Sequence, residues 1–466
     1  MKNYKLFFCG KWQKNNNNYK IIKKNPKNNL KIASYLVPTN SQINKGIKSA
    51  NTTQLMWNNE NRSFKFNFLI AISNFIKQNK RNFAQLESAE VGKPLKNALA
   101  EIEYCSELWK YAASLVNVNH DENYEDLSKS SKAKVIREPV GTVAIILPWN
   151  FPMVVLSERL PFVLAAGCSA IIKPSEHASG SILKLCEFFS NNKRLSSLCT
   201  VFTGGADVAQ KIILSKNINM VSFTGSTTNG QLIANLCSKD LKKISLELGG
   251  KNTSIIFDDA NIRKVSKVLA KRFLYNSAQA CISPSKILVQ KKILKLFKKI
   301  FIEEIKKLKS KNYGPITTNY NLEKVKEFYY YAKKNEKIIY DGNKIFKKNY
   351  FEPVILENVS YKSKIYDEEI FGPIIYINSF SSINKAVKYA NHTKYGLACY
   401  IFTNSKDISN YVSRNVNYGR IWINEVEDFP QMSIGGFKQS GIGRESGKFG
   451  INNYSEFKSI IIGKEI

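Results

Sequence analysis

Apolar positions along the chain change their period, and each change marks a different kind of structure. After a short β-like start, Phe64, Phe68, Ile72, Phe75 and Ile76 recur at helical spacing, so the first hundred residues are expected to be mainly helical. From Asn117 to Lys134 the chain is polar with few apolar anchors, which fits a linker or an extended arm. From Gly141 the pattern shifts to short apolar runs, GTVAIIL, CSAIIK, CTVFT, NMVSF and ISLEL, separated by helical stretches such as LSERLPFVLAA. That alternation predicts a parallel sheet with crossover helices. A second alternating region follows residue 281, with KILVQ, PIIYINSF, CYIFT and GRIWIN as its strands. Within it, the segment from Lys291 places Ile293, Leu296, Phe297, Ile300, Phe301, Ile305 and Leu308 on one helical face. The whole pattern predicts an α/β protein with two such domains in series over 466 residues.

Composition narrows the function classes. The formal net charge is +33, from 70 Lys and Arg against 37 Asp and Glu. The excess is lysine spread along the whole chain, not a basic patch interleaved with aromatics, so it describes a solvated surface and neither a nucleic-acid nor a membrane partner is expected. Eight scattered cysteines without a CxxC pair point to a reducing, cytoplasmic setting. Three histidines without ligand spacing argue against a metal site or a Ser-His-Asp triad. The apolar run in MKNYKLFFCGKW is too short for a signal peptide, and no later stretch reaches membrane-spanning length without charge.

Several short motifs stand at predicted strand ends, where open α/β sheets carry their ligands. PWNFP fixes its backbone with prolines on both sides, so the amide of Asn150 is a preset donor suited to an oxyanion; a rigid turn reads the same way. KPSE offers Lys173 to ribose hydroxyls and Glu176 as a carboxylate that repels a 2′-phosphate, or both as plain surface charges. SFTGSTTNG places Gly225 and Ser226 before a helix, where backbone and hydroxyl can approach a pyrophosphate, although it matches neither common nucleotide-binding motif. Glu247 interrupts an apolar strand just before two glycines, a costly place for a carboxylate without a task or a partner. Cys281 follows 34 residues later; a thiolate attacks an aldehyde, and the thioester formed needs a water activated by a nearby base. Glu369 and Phe371, two apart on a segment read as extended, would face the same way and could hold a ribose and a flat ring. GGFKQSGIGRE has no strand pattern and reads as an ordered loop.

Taken in order, PWNFP, KPSE, FTGST, LELGGK, QAC, EEIFGP, YGLA and GGFKQSGIGRE resemble the NAD(P)-dependent aldehyde dehydrogenase superfamily over essentially the whole chain. The resemblance implies a Rossmann-type cofactor domain from residues 1–116 and 140–248 and an α/β catalytic domain from 249–438. It also implies a β-arm, from 117–139 and 450–466, that joins subunits into a homodimer or homotetramer. It implies oxidation of a small aldehyde to the acid, with NAD rather than NADP as the cofactor. Cys281 then matches the nucleophile, Glu247 the general base, and Asn150, with the Cys281 backbone N–H, the oxyanion site. Trp149, Lys173, Glu176, Gly225, Ser226, Glu369 and Phe371 match the cofactor-binding set, and Glu445 matches a second carboxylate sometimes assigned to proton relay. The texture of FPQMSIGGFKQSGIGRE is similar to the betaine-aldehyde and aminoaldehyde branch, with semialdehydes or simple aliphatic aldehydes as the alternative. No spare arginine near Cys281 is evident for a semialdehyde carboxylate.

Four departures from the family pattern matter. Ala278 stands where the family has Gly; at positive φ it would cost about 1 kcal/mol, and at ordinary φ nothing. The loop at KSKNYGPI is short and is expected to be remote from the chemistry. Ile434 replaces a frequent Phe or Trp before the Gly-Gly pair. Glu158 stands where a tunnel Trp is common, either as a lure for a cationic aldehyde or as a surface charge.

Overall fold

The computed structural model describes residues 1–15, 19–118, 121–128, 131–343 and 348–463. Two large sheets organise it. In the first, Gly441–Ile442, Lys243–Glu247, Met220–Thr224, Thr142–Ile146, Ser169–Lys173, Cys199–Val201, Leu6–Phe8 and Lys11–Gln13 lie side by side in that order. The five strands from Lys243–Glu247 to Cys199–Val201 are parallel. Thr142–Ile146, Ser169–Lys173 and Met220–Thr224 are buried at every position, which explains their unbroken apolar runs: helices cover both faces of a parallel sheet. After Thr142–Ile146 the chain adds strands first on one side and then on the other. The crevice at that switch is where such sheets bind ligands.

The second sheet runs Lys337–Asp341, Val354–Glu357, Ile374–Phe380, Pro284–Gln290, Asn252–Ile256, Ala398–Phe402 and Arg420–Ile423, parallel except at its first pair. Four helices over Asn40–Asn58, Arg62–Gln78, Lys80–Val91 and Leu95–Val116 precede the first sheet's central strand. They share a core with it through Trp57, Ile72, Trp109 and Val143.

The polar stretch folds as an arm. Glu122–Ser128 pairs antiparallel with Ser131–Pro139, which pairs with Ser455–Gly463 along nine residues. Residues 119, 120, 129, 130 and 464–466 of the expected arm lie outside the described residues.

Local expectations needed three adjustments. The Leu294–Asn312 helix buries Phe297, Ile300, Phe301 and Ile305, but Leu296 is exposed, as is Phe64 on the earlier stripe. Both buried faces are narrower than the periodicity implied, because each helix packs on one side only. GGFKQSGIGRE is not strandless: Phe437–Lys438 and Gly441–Ile442 are short strands, and the second extends the first sheet beside Lys243–Glu247. Two-residue strands leave no alternation to read.

Candidate active site

Cys281 follows the helix Ile262–Leu274 and a tight turn at Tyr275–Ala278. In that turn Asn276, Ser277 and Ala278 have φ of 48°, 55° and 59°. Ala278 therefore meets the costly case, a left-handed backbone without glycine's freedom, worth about 1 kcal/mol. Its neighbours hold the turn in place. The Ser277 hydroxyl donates to the Gly314 carbonyl at 2.7 Å and accepts from the Gly314 N–H at 3.1 Å. The Gln279 side chain donates to Asn276 O (2.9 Å) and Pro315 O (3.2 Å) and accepts from Thr317 N–H (2.9 Å). The GPI segment expected to be remote thus clamps the loop of Cys281, because the chain after Leu294–Asn312 folds back under it.

Asn150, buried after the central strand, donates its side-chain amide to Gln279 O at 3.0 Å, and Asn276 donates to Asn150 O at 3.3 Å. The preset amide is therefore tied to the loop of Cys281, a link that PWNFP alone did not reveal. Glu247 ends its strand, is 3% exposed, and has one carboxyl oxygen without a hydrogen-bond partner. Its carboxyl and the Cys281 thiol line the same cavity. Burial pushes Glu247 up to about 8, against the opposing pull of Arg159. Burial and then the Glu247 charge push the thiol well above its ordinary value.

All ten residues expected at the active site and cofactor site line one cavity of about 720 Å³. Lys173 ends the strand Ser169–Lys173, and its amine sits 3.4 Å from Glu176. Ser226 caps the helix Thr227–Ser238 by accepting from Asn229 N–H at 3.3 Å, which leaves its own hydrogen to donate. At Gly225 a Cβ would lie 2.4 Å from the Phe223 ring. At Gly249 a Cβ would lie 2.3 Å from a Glu369 carboxyl oxygen, so only glycine lets Glu369 reach the cavity, where it accepts from Gly250 N–H at 3.0 Å.

Glu369 and Phe371 do not sit two apart on an extended segment: Phe371 has φ 59°, and its ring meets Trp149 edge-on at 5.6 Å. Asn321, donating to Phe371 O at 2.9 Å, and Lys324, donating to Glu369 O at 2.8 Å, pin this bend from the helix Asn319–Asn335. Neither carried a motif. Glu445 is buried but lines neither of the cavities here; Ser222, Ser245 and Tyr454 donate to it, and Arg159 lies 3.8 Å away.

Half-buried Cys281 and buried Glu247 thus share one groove in a chain whose whole length finds known relatives. Residues 12–460 match the aldehyde dehydrogenase family. The chain belongs to that family. It is thereby an NAD(P)-dependent aldehyde oxidoreductase. It is 30% identical to aminoaldehyde dehydrogenase 1, peroxisomal, of Pisum sativum, over 98% of this chain and 95% of that one. It is 31% identical to the mitochondrial succinate-semialdehyde dehydrogenase of Oryza sativa subsp. japonica, over 97% and 88% respectively. Among solved structures, betaine aldehyde dehydrogenase from Staphylococcus aureus in complex with NAD+ superposes with a TM-score of 0.95 at 28% identity, covering 99% of this chain and 95% of that one.

A second cavity of about 1160 Å³ opens on the other side of this family site, and Cys281 and Glu247 line both. Its walls include Tyr104, Phe151, Glu158, Arg272, Arg420, Asp428 and Ile434. Glu158 is not a surface charge: it is 8% exposed, 3.5 Å from the fully buried Arg159. The two arginines, invisible as a pair in the sequence because 148 residues separate them, share Asp428 at 3.3 and 2.8 Å, so neither is spare.

Proposed function

We propose that Cys281 is the nucleophile and Glu247 the base of an NAD-dependent oxidation of an aldehyde to its carboxylic acid. The observation that carries this reading is that Cys281 and Glu247 both line the two cavities and so stand where these meet. Cys281 loses its proton to solvent and attacks the aldehyde carbon as the thiolate, which leaves Glu247 free to act on the later water. The Asn150 side-chain amide and the Cys281 backbone N–H receive the resulting oxyanion. Bound NAD would supply the hydride acceptor that this oxidation requires. Glu247 then takes a proton from the water that attacks the thioester, and the acid leaves with Cys281 restored.

The groove's residues fit a dinucleotide. Gly225, Ser226 and the first turn of Thr227–Ser238 would hold the pyrophosphate, and Lys173 and Glu369 would hold ribose hydroxyls. Trp149 and Phe371 would confine the nicotinamide side. Glu176 beside Lys173 favours NAD over NADP, since a 2′-phosphate would meet its carboxylate. Glu445, saturated by hydroxyl donors, supports a structural role better than a proton relay.

For the substrate, betaine aldehyde or an aminoaldehyde fits best. In a chain with almost twice as many cationic as acidic residues, the second cavity is lined by six carboxylates against four cations. A semialdehyde is the alternative, since Arg272 and Arg420 line the same walls. The cofactor and catalytic domains are taken as residues 1–116 with 140–248 and 249–438. The arm supports assembly of a homodimer or homotetramer. Eight cysteines without a disulfide support a cytoplasmic setting, and no described helix is long and apolar enough to cross a membrane.

Replacing Cys281 with Ser tests the core of this reading. NADH formation is expected to fall by on the order of 10³-fold or more with every aldehyde tried, in a protein that still binds NAD. Near-normal steady-state turnover would overturn it.

A further inference from the structure

We infer that Glu158 is the specificity residue of the substrate cavity and accepts a hydrogen bond from a protonated amine on the aldehyde. It therefore selects ω-ammonio aldehydes that carry N–H groups over quaternary ammonium ones. This rests on the aldehyde oxidation proposed above and deepens it.

A buried carboxylate is ordinarily satisfied by donors, because taking it out of water without them is costly. Glu158 is buried, yet among the described residues no N–H or O–H donates to its carboxylate; Arg159 approaches at 3.5 Å as an ion pair only. Arg159 is committed elsewhere. It donates to Val155 O at 2.9 Å and to the Thr224 hydroxyl, and it faces Glu445 at 3.8 Å. The other cation near Glu158, Arg420, holds Asp428 at 2.8 Å and donates to Met432 O at 3.0 Å. Glu158 lines the cavity that ends at Cys281, and its charge is felt by both Cys281 and Glu247. An aldehyde held at Cys281 would thus bring a short chain's far end into this carboxylate's field.

The rest of the lining does not suit a quaternary ammonium. Such a group has no N–H to give and is recognised by aromatic faces around it. Ile434 contributes an aliphatic wall, and two of the lining rings, Phe151 and Tyr275, are stacked on one another at 6.0 Å and 8°. What the cavity offers is a carboxylate lacking donors, with the Tyr104 hydroxyl in its neighbourhood. That combination matches a primary ammonium.

Three aldehydes of one length test this: 3-aminopropanal, its N,N,N-trimethylated analogue, and uncharged butanal, each assayed for kcat/KM with NAD. The wild-type enzyme is expected to prefer 3-aminopropanal over both others, by about tenfold or more. In Glu158→Gln the ratio of 3-aminopropanal to butanal should collapse toward one, and in Glu158→Asp it should be partly retained, which a folding defect would not produce. A preference for the trimethylated aldehyde, or a ratio unmoved by Glu158→Gln, would overturn the inference. If none of the three aldehydes, butanal included, is oxidised by the wild type, it is the aldehyde oxidation itself that fails.

Discussion

Around the cofactor groove, the residues that matter sit at strand ends in short contiguous motifs. The substrate cavity instead takes its walls mostly from helices and loops scattered from Ala100 to Ile434, with Phe402 and Arg420 added from two strands of the second sheet. The difference has a physical origin. Parallel strands end together, so a sheet gathers its carboxyl ends into one crevice and a few residues after each strand suffice to build a site. A tunnel wall needs only one side chain from each passing element, so its residues share neither period nor motif. The groove is accordingly rich in backbone-dictated features, such as Gly249 yielding space to Glu369. The tunnel is rich in buried charges that answer one another, such as Asp428 between two arginines.

The largest effect that would break this contrast lies at the residues shared by both cavities. Glu247 is raised to about 8, so the Cys281–Glu247 pair must lose a proton before the thiol can attack. Substrate-limited kcat/KM is expected to rise about tenfold per pH unit from 6 toward 8 and then level. Stability has the opposite sign: a carboxyl raised above its unfolded value of 4.5 stabilises the fold below that value, and this is lost as pH rises through about 8. A flat rate profile below 8 would contradict both.

On the substrate side, Asp428→Ala leaves Arg272 and Arg420 facing each other and should lower stability by about 3 kcal/mol in denaturant titration. It should raise KM for the aldehyde and leave KM for NAD near its starting value. On the cofactor side, Glu176→Gln should improve the NADP to NAD ratio of kcat/KM by about tenfold and leave the aldehyde ranking untouched. Crossed effects, with Asp428 acting on NAD or Glu176 on the aldehyde, would show that the two cavities are not separately built.

How much could be read from the chain follows the same division. The two parallel sheets were legible, because buried strands keep unbroken apolar runs, and a carboxylate such as Glu247 stands out inside one; the ten residues expected at the site line one cavity, with their roles as proposed above. The bend at Phe371 was not, since an αL residue without glycine leaves no mark. Nor was the clamp of Gly314, Pro315 and Thr317 on the Cys281 loop, a contact between segments more than thirty residues apart. Glu158 was visible as a residue, but its burial was decided by the fold. Ala278 is the local case where position alone posed the right question, and φ of 59° answered it. The smallest effect is expected there: Ala278→Gly should stabilise the protein by about 1 kcal/mol in the same titration, and a loss of stability would show that the turn tolerates a Cβ.

The chemistry assigned to Cys281 and Glu247 meets its most direct test in the first turnover of Glu247→Gln, followed by NADH absorbance and intact-protein mass. A burst approaching one NADH per active site, an acyl adduct on Cys281 and a steady state slowed on the order of 10²-fold are expected, because acylation outlives the base that removes its product. Steady turnover at the wild-type rate, or NADH formed without any adduct, would contradict it.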